Sequence, residues 1–102
     1  MENPSTSSYS VVLVTATSKE EADAIASSLV EARMAACVSI MPVLSIYTWD
    51  GTVNRDQEWQ LVIKTDLSQF DQLSAKIQEL HSYEIPEIIA LPIVAGSEAY
   101  LQ

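Results

Sequence analysis

A long β-rich stretch with a single turn signal constrains the fold of this chain more than any other feature. Residues 37–49 and 52–65 are rich in β-branched and aromatic side chains, which favour strands. Between them lies Asp50-Gly51, a pair that readily adopts the positive φ angles of a two-residue hairpin turn. The pattern predicts a hairpin with arms of ~13 residues, or about 40 Å at ~3.3 Å per residue.

The predicted hairpin has a defined register and one apolar face. Its turn pairs Trp49 with Thr52, and the pairing then places Cys37 roughly opposite Lys64 or Thr65, allowing for a bulge. Along the return strand, apolar side chains alternate with polar ones, as expected for a strand with one buried face. The alternating apolar residues are Trp59, Leu61 and Ile63.

The residues before the hairpin predict one strand and one helix. Residues 9–16, Y-S-V-V-L-V-T-A, are nearly all apolar and rich in valine, which is typical of a strand buried on both faces. Ser18 and Glu21 match the S-x-x-E capping box that begins a helix. Six side chains then fall on one stripe at helical spacing: Ala22, Ile25, Ala26, Leu29, Ala32 and Ala36.

A second helix and a last strand are predicted after the hairpin. Asp66 caps the helix, Ser82 and Pro86 end it, residues 87–94 form the strand, and Ser97 begins a short helical turn. The order β-α-β-β-α-β is that of an α+β, ferredoxin-like sandwich. In this arrangement two helices cover one face of a four-stranded antiparallel sheet, and strands one and three occupy its centre.

The chain of 102 residues predicts one domain, with residues 1–8 as a flexible polar leader and residues 9–102 as the domain. A first strand of about eight residues cannot cover hairpin arms of ~13 residues, so part of the hairpin is left over. The hairpin arms carry three aromatic residues: Tyr47, Trp49 and Trp59. We expect closed oligomerisation to cover this edge; a hairpin folded back on its own sheet is the alternative.

The charge of the chain limits the classes of partner that it is expected to bind. It carries 14 Asp and Glu against 5 Lys and Arg, a formal net charge of −9. We therefore expect no binding to nucleic acid or anionic membranes, because both are bound through basic patches. Divalent metals are natural electrostatic partners, although solubility alone also explains an acidic surface. With a single cysteine and neither a signal peptide nor a membrane-length apolar segment, we expect a cytoplasmic location.

Residues 81–92, H-S-Y-E-I-P-E-I-I-A-L-P, contain the sole histidine, followed by two carboxylates. His81 with Glu84 and Glu87 could bind a borderline metal such as Cu(II) or Zn(II), since imidazole and carboxylate suit both ions. The spacing matches no recognised metal motif, and a solvated helix end is the alternative interpretation. His81 also suits a helix C-terminus, where a cation meets the helix dipole.

Two further residues have both a functional and a structural interpretation. Cys37 could be a thiolate ligand or a nucleophile, or simply a small buried hydrophobe. Lys64, at the end of the apolar run L-V-I-K-T, could bind an anion, or extend to solvent at a sheet edge. The sequence contains no G-x-G-x-x-G, Walker loop, C-x-x-C or G-x-S-x-G motif, so no motif specifies a reaction.

Five motifs in order resemble the CutA divalent-cation tolerance family: L-V-T-A-T-S, A-R-M-A-A-C-V-S-I, S-I-Y-T-W-D-G, L-V-I-K-T and H-S-Y-E-I-P-E-I-I-A-L-P-I. The similarity runs from residue 11 to residue 101. The resemblance implies a ferredoxin-like fold assembled as a tight homotrimer, with an architecture similar to that of the PII signalling proteins. It also implies a link to copper and other divalent cations.

The resemblance implies positions for a site as well. Five residues match those near the family's intersubunit cleft: Cys37, Lys64, His81, Tyr83 and Glu87. Trp49 and Tyr47 match its long hairpin. Ser82 stands where the family usually has proline, which should loosen the loop after His81 slightly.

The sequence thus leads to three hypotheses. The first is a non-enzymatic homotrimer that binds a divalent cation such as Cu(II), or a small anionic ligand, at its subunit clefts. The proposed metal ligands are His81, Glu84 and Glu87, with Cys37 as a further candidate, and the proposed small-ligand contacts are Lys64, Tyr83 and Trp49. The second is a PII-like signalling module that acts through a partner protein. The third is an enzyme with Cys37 as nucleophile.

Overall fold

The computed structural model describes residues 8–101 of the chain. Along them lie β1 (Tyr9–Ala16), α1 (Lys19–Glu31), β2 (Cys37–Trp49), β3 (Thr52–Asp66), α2 (Phe70–Leu80), β4 (Ile89–Pro92) and α3 (Glu98–Leu101). A short 3-10 turn, Leu67–Gln69, leads from β3 into α2. The predicted order of strands and helices is confirmed, whereas residues 1–7 of the predicted leader lie outside the described residues. None of these helices is long and apolar enough to cross a membrane.

The four strands form one antiparallel sheet in the order β2-β3-β1-β4, with β1 and β3 in the centre as predicted. The hairpin register runs one to one from Trp49 opposite Thr52 to Cys37 opposite Lys64, without the bulge that the sequence left open. On its other side, Lys64 lies opposite Val11 of β1. Cys37, Lys64 and Val11 therefore form one row across the sheet.

The core lies between one face of the sheet and the two long helices. Buried and half-buried residues alternate along β1, so within one chain the strand is fully buried on one face only, and not on both as predicted. The helices cover only one face, and the pleat directs every second side chain to the other. The core includes Val12, Val14, Ala16, Ile25, Leu29, Leu61, Ile63, Leu73 and Ile77.

Helix α1 begins after its predicted Ser18 cap but ends before its apolar stripe does. The chain leaves the helix after Glu31 because Arg33 adopts a left-handed conformation with a φ of 61°. Two residues of the predicted stripe, Ala32 and Ala36, are therefore exposed beyond the helix.

Strand β4 is shorter than predicted, covering Ile89–Pro92 rather than residues 87–94. Its first residue pairs with Leu13, so a longer strand would bring residue 87 opposite Thr15. The Thr15 carbonyl instead accepts a hydrogen bond from the His81 side chain. That side chain therefore occupies the backbone acceptor that an extended β4 would use.

The hairpin projects beyond the rest of the sheet. Strand β1 pairs with β3 only from Trp59 onward, so residues 43–49 and 52–58 form a two-stranded ribbon. At ~3.3 Å per residue the ribbon is about 23 Å long, and the principal extents of the molecule are 49 × 26 × 21 Å. The predicted overhang is confirmed, except that Trp59 lies within the sheet and packs against the core.

Candidate functional site

His81 ends helix α2, and both of its ring nitrogens make hydrogen bonds. The residue is buried, with 8% of its surface exposed. Its Nε2 lies 2.7 Å from the Thr15 carbonyl oxygen, and its Nδ1 accepts a hydrogen bond from the Tyr83 backbone N–H at 3.0 Å. A carbonyl accepts and a backbone N–H donates, so the network assigns the neutral tautomer with its proton on Nε2. The side chain thereby ties the loop after α2 to the end of β1.

Glu21 is the carboxylate beside His81, with its Oε1 lying 3.8 Å from Nδ1. It accepts hydrogen bonds from the backbone N–H groups of Ser82, at 3.1 Å, and Thr17, at 3.3 Å. Burial by itself raises the pKa of Glu21, but these hydrogen bonds lower it below its ordinary value. The sequence identified Glu21 as a helix-capping residue and missed this second role.

Tyr83 continues the network toward the hairpin. Its ring centroid lies 4.9 Å from that of His81, and its hydroxyl donates to Glu58 Oε2 at 3.0 Å. Burial and the bond to Glu58 raise the pKa of Tyr83 to about 12. Glu58 has only 8% of its surface exposed. The alternating pattern of β3 predicts that Glu58 lies on a polar face of the strand. The sequence does not indicate that Tyr83 lies over Glu58.

A second phenol and a second carboxylate lie nearby on the hairpin. The Tyr47 hydroxyl donates to the Asp56 carboxylate, and this bond raises the pKa of Tyr47. Tyr47 and Asp56 also contribute electrostatically to the raised pKa of Tyr83, so the two phenol–carboxylate pairs lie close enough for their charges to interact. We call Tyr47, Asp56, Glu58 and Tyr83 the phenol–carboxylate cluster. Within the cluster one hydrogen bond joins Tyr83 to Glu58, at the base of the projecting ribbon, and another joins Tyr47 to Asp56 farther along it.

The two predicted carboxylate ligands lie apart from this network. Glu84 and Glu87 are exposed on the loop between α2 and β4, and Glu21 occupies the position beside the His81 ring. Within residues 8–101, no group of three or more His, Cys, Asp or Glu side chains is arranged to hold a metal ion. The expected convergence of His81 with Glu84 and Glu87 is therefore not present within one chain.

Cys37 lies too far along the sheet to share an ion with His81 of the same chain. It pairs with Lys64, whereas the Thr15 carbonyl that His81 contacts belongs to the row of Gln60. The four residues from Gln60 to Lys64 span about 13 Å, far beyond the ~4 Å that separates two ligands of one ion. A site containing both side chains needs two chains.

The three predicted small-ligand contacts also lie apart. Lys64 is in the row of Cys37, Tyr83 contacts Glu58, and Trp49 is 71% exposed beside the turn of the hairpin. Glu58 pairs with Val43, so Trp49 is six positions farther along the hairpin, or about 20 Å. Lys64 instead lines a pocket, and its Nζ lies 5.5 Å from the centre of the Tyr100 ring.

Comparison with known proteins gives consistent matches along almost the whole chain. A family model described as CutA1 divalent ion tolerance protein matches residues 10–102. The divalent-cation tolerance protein CutA of Thermus thermophilus is 51% identical over 92 residues, which cover 89% of each chain. The chloroplastic protein CutA of Arabidopsis thaliana is 43% identical over 90% of this chain, which spans only 51% of that relative.

Solved structures agree with the sequence matches. The crystal structure of CutA1 from Oryza sativa superposes with a TM-score of 0.90 at 42% identity, over 95% of this chain and 90% of that one. The fold and these matches define a small α+β protein of a class described by tolerance to divalent cations rather than by a reaction. The chain belongs to the CutA divalent-cation tolerance family.

Proposed function

We propose that this chain serves divalent-cation tolerance as a non-enzymatic homotrimer, which binds the cation between its subunits in the cytoplasm. Family membership supports the role in tolerance, and the net charge of −9 supports attraction of cations. A single half-buried thiol supports a reducing compartment. A single observation carries the proposal. The candidate ligands of one chain lie on an exposed loop and in distant rows of the sheet, so one chain does not complete a site.

The projecting ribbon supports assembly with other copies of the chain. Leu44, Ile46 and Val53 lie on one face of the ribbon, because Leu44 and Ile46 alternate along β2 and Val53 pairs with Thr48. They are 62%, 55% and 64% exposed. We call these three residues the ribbon's apolar face. An isolated two-stranded ribbon is marginally stable in water, so a neighbouring subunit that covers this face would stabilise it.

The sheet surface away from the helices supports the same assembly. The alternation that buries Val12 and Val14 directs Val11 and Leu13 to this surface, where they are half-buried. Ile89 and Leu91 of β4 lie beside them and are about half exposed. Apolar area that neighbouring chains bury contributes roughly 25 cal/mol per Å². Three copies are the number that the family resemblance of the sequence implies, and closed symmetry would leave no open edge.

The proposed cation ligands start with the two carboxylates of the loop after α2. Glu84 and Glu87 are exposed, and the loop that carries them is anchored by His81 and Tyr83. Among the described residues the ion pair joins Lys76 to Glu79, and the neutral His81 lies beside Glu21, so neither loop carboxylate is neutralised by an ion pair. A neighbouring subunit would add the remaining ligands, with Cys37 as the candidate. His81 would join only by releasing the Tyr83 N–H from Nδ1.

Cu(II) is the first ion to test, because carboxylate oxygen, imidazole nitrogen and thiolate sulfur together suit a borderline metal. We expect calorimetric titration of the wild-type protein with Cu(II) to give a saturable isotherm. The double variant Glu84→Gln, Glu87→Gln should bind the ion at least ~10-fold more weakly, since it retains the shape of the loop and loses both anionic ligands.

The control variant removes the same charge elsewhere. Glu20→Gln with Glu31→Gln changes two exposed carboxylates of α1 and should leave the isotherm unchanged. Equal weakening in both double variants would mean that overall charge, rather than a site on the loop, attracts the ion. Indistinguishable isotherms for the wild type and the loop variant would contradict the proposed ligands.

A PII-like signalling role is the second candidate, because Trp49 at the hairpin turn is the most exposed aromatic side chain of the described residues. In this case a partner protein, rather than a neighbouring copy, would cover the ribbon. Lys64, Tyr83 and Trp49 would then contact a small ligand in a cleft to which at least two chains contribute. A trimer in which the backbone amides of the ribbon still exchange their hydrogens rapidly with solvent would favour this alternative.

A further inference from the structure

A pocket of about 710 Å³ opens at the end of the sheet opposite to His81. The turn after α1, the first residues of β2, the end of β3 and helix α3 surround it. Its apolar lining includes Tyr9, Val30, Met34, Ile93, Tyr100 and Leu101. The volume falls in the range of small-molecule sites, roughly 300–1,000 Å³. The pocket can therefore admit an organic molecule of modest size.

Two of the polar residues in the lining are cationic. Arg33 and Lys64 line the pocket, in a chain that has only 5 Lys and Arg in all against 14 Asp and Glu. Neither takes part in the ion pair of residues 8–101, which joins Lys76 to Glu79. With Asp66 also in the lining, an acidic protein thus keeps one net positive charge at this pocket, which favours an anionic ligand.

The carboxylate in the lining offsets only one of the two positive charges. Asp66 accepts a hydrogen bond from the Ser68 N–H at 2.9 Å and another from the Ser8 hydroxyl at 3.2 Å. The bonds from Ser68 lower the pKa of Asp66, in keeping with its place as the cap of the 3-10 turn. One oxygen of Asp66 therefore caps the turn, and the other binds the Ser8 hydroxyl.

Arg33 stands where glycine would fit the backbone better. Its φ of 61° lies in the left-handed region, and its N–H closes the end of α1 by donating to the Val30 carbonyl at 3.0 Å. A helix commonly ends with glycine at such a position, because a side chain is strained there. Arg33 therefore lines the pocket from a strained backbone position.

We propose that this pocket binds a small organic anion, a carboxylate on an aromatic body. Lys64 and Arg33 hold the carboxylate, and the tyrosine and aliphatic side chains of the lining pack against the ring. The proposal rests on the small-ligand part of the proposed function, through Lys64. It shares Cys37 with the candidate cation ligands, whereas Glu84 and Glu87 lie on a separate loop. The pocket and the His81 loop lie at opposite ends of β1.

The probe is 2-naphthoate, with the neutral 2-naphthamide as its matched control. Cys37 lines the pocket and is the single cysteine of the chain, so its alkylation by N-ethylmaleimide reports occupancy there. We expect naphthoate, and not naphthamide, to bind saturably in calorimetry and to slow alkylation of Cys37. Lys64→Met should weaken binding about 10-fold, since one charge-assisted contact is lost.

Two further variants make the result decisive. Arg33→Gly should weaken naphthoate binding while the thermal midpoint stays equal or rises, because glycine relieves the left-handed strain. Lys76→Met removes a positive charge outside the pocket and should leave binding unchanged. Unsaturable binding at millimolar naphthoate, equal binding of the amide, or an unprotected Cys37 would each overturn the proposal. Naphthoate binding that persists in the Glu84→Gln, Glu87→Gln variant would show that the pocket is a site separate from the cation site.

Discussion

Replacing Leu44 and Ile46 by aspartate is expected to convert a trimer of about 34 kDa, three times the chain mass of 11.2 kDa, into single chains. Both side chains lie on the ribbon's apolar face and are more than half exposed in one chain. Burying each contributes about 1.5–3 kcal/mol, and an unpaired carboxylate in their place costs several kcal/mol more. The loss occurs in each of three subunits, so the chains should no longer assemble. Sedimentation velocity should then detect single chains.

The control is a substitution of the same kind outside the hairpin. Leu67, in the 3-10 turn before α2, is 48% exposed in one chain. The variant Leu67→Asp should sediment as the wild type does. A trimeric mass for the Leu44→Asp, Ile46→Asp variant would mean that the ribbon's apolar face is not part of the interface.

The variant His81→Ala is expected to lower the free energy of unfolding by about 2–4 kcal/mol. It removes a buried ring, the hydrogen bond to the Thr15 carbonyl and the acceptor of the Tyr83 N–H. The loop after α2 would lose its attachment to β1. Urea unfolding followed by Trp fluorescence measures the loss, at one protein concentration because assembly also stabilises the fold.

Tyr83→Phe is the matched variant for this prediction. It keeps the ring and the backbone N–H and removes only the hydroxyl that donates to Glu58. The expected loss is about 1–2 kcal/mol, since Glu58 is left buried without that donor. Equal stabilities of His81→Ala and the wild type would mean that His81 acts as an exposed ligand rather than as an attachment of the loop.

The hairpin shows which parts of this fold can be predicted from the sequence. Asp50-Gly51 fixes the turn, and the turn fixes every pair of the ladder, so the position of Cys37 opposite Lys64 follows from local information. The overhang then follows from the short first strand. These features depend on neighbouring residues or on strand length, and both can be read from the chain.

The candidate site depends on contacts that local patterns do not encode. His81 is buried because it meets Thr15, 66 residues earlier in the chain, and Glu58 is buried because Tyr83, 25 residues later, covers it. Periodicity places Glu58 in solvent and sequence spacing pairs His81 with Glu84. The contact with Thr15 also shortens β4, which residue types alone predict to be longer.

Native mass spectrometry of the wild-type protein with Cu(II) tests the central claim most directly, because it measures assembly and ion binding in one spectrum. We predict an apo species of about 34 kDa, three chains of 11.2 kDa, that gains copper while dissociated single chains gain none. This result follows from a cation site that one chain leaves incomplete. A single chain that binds copper as readily as the assembly, or a wild-type protein without trimers, would contradict the account.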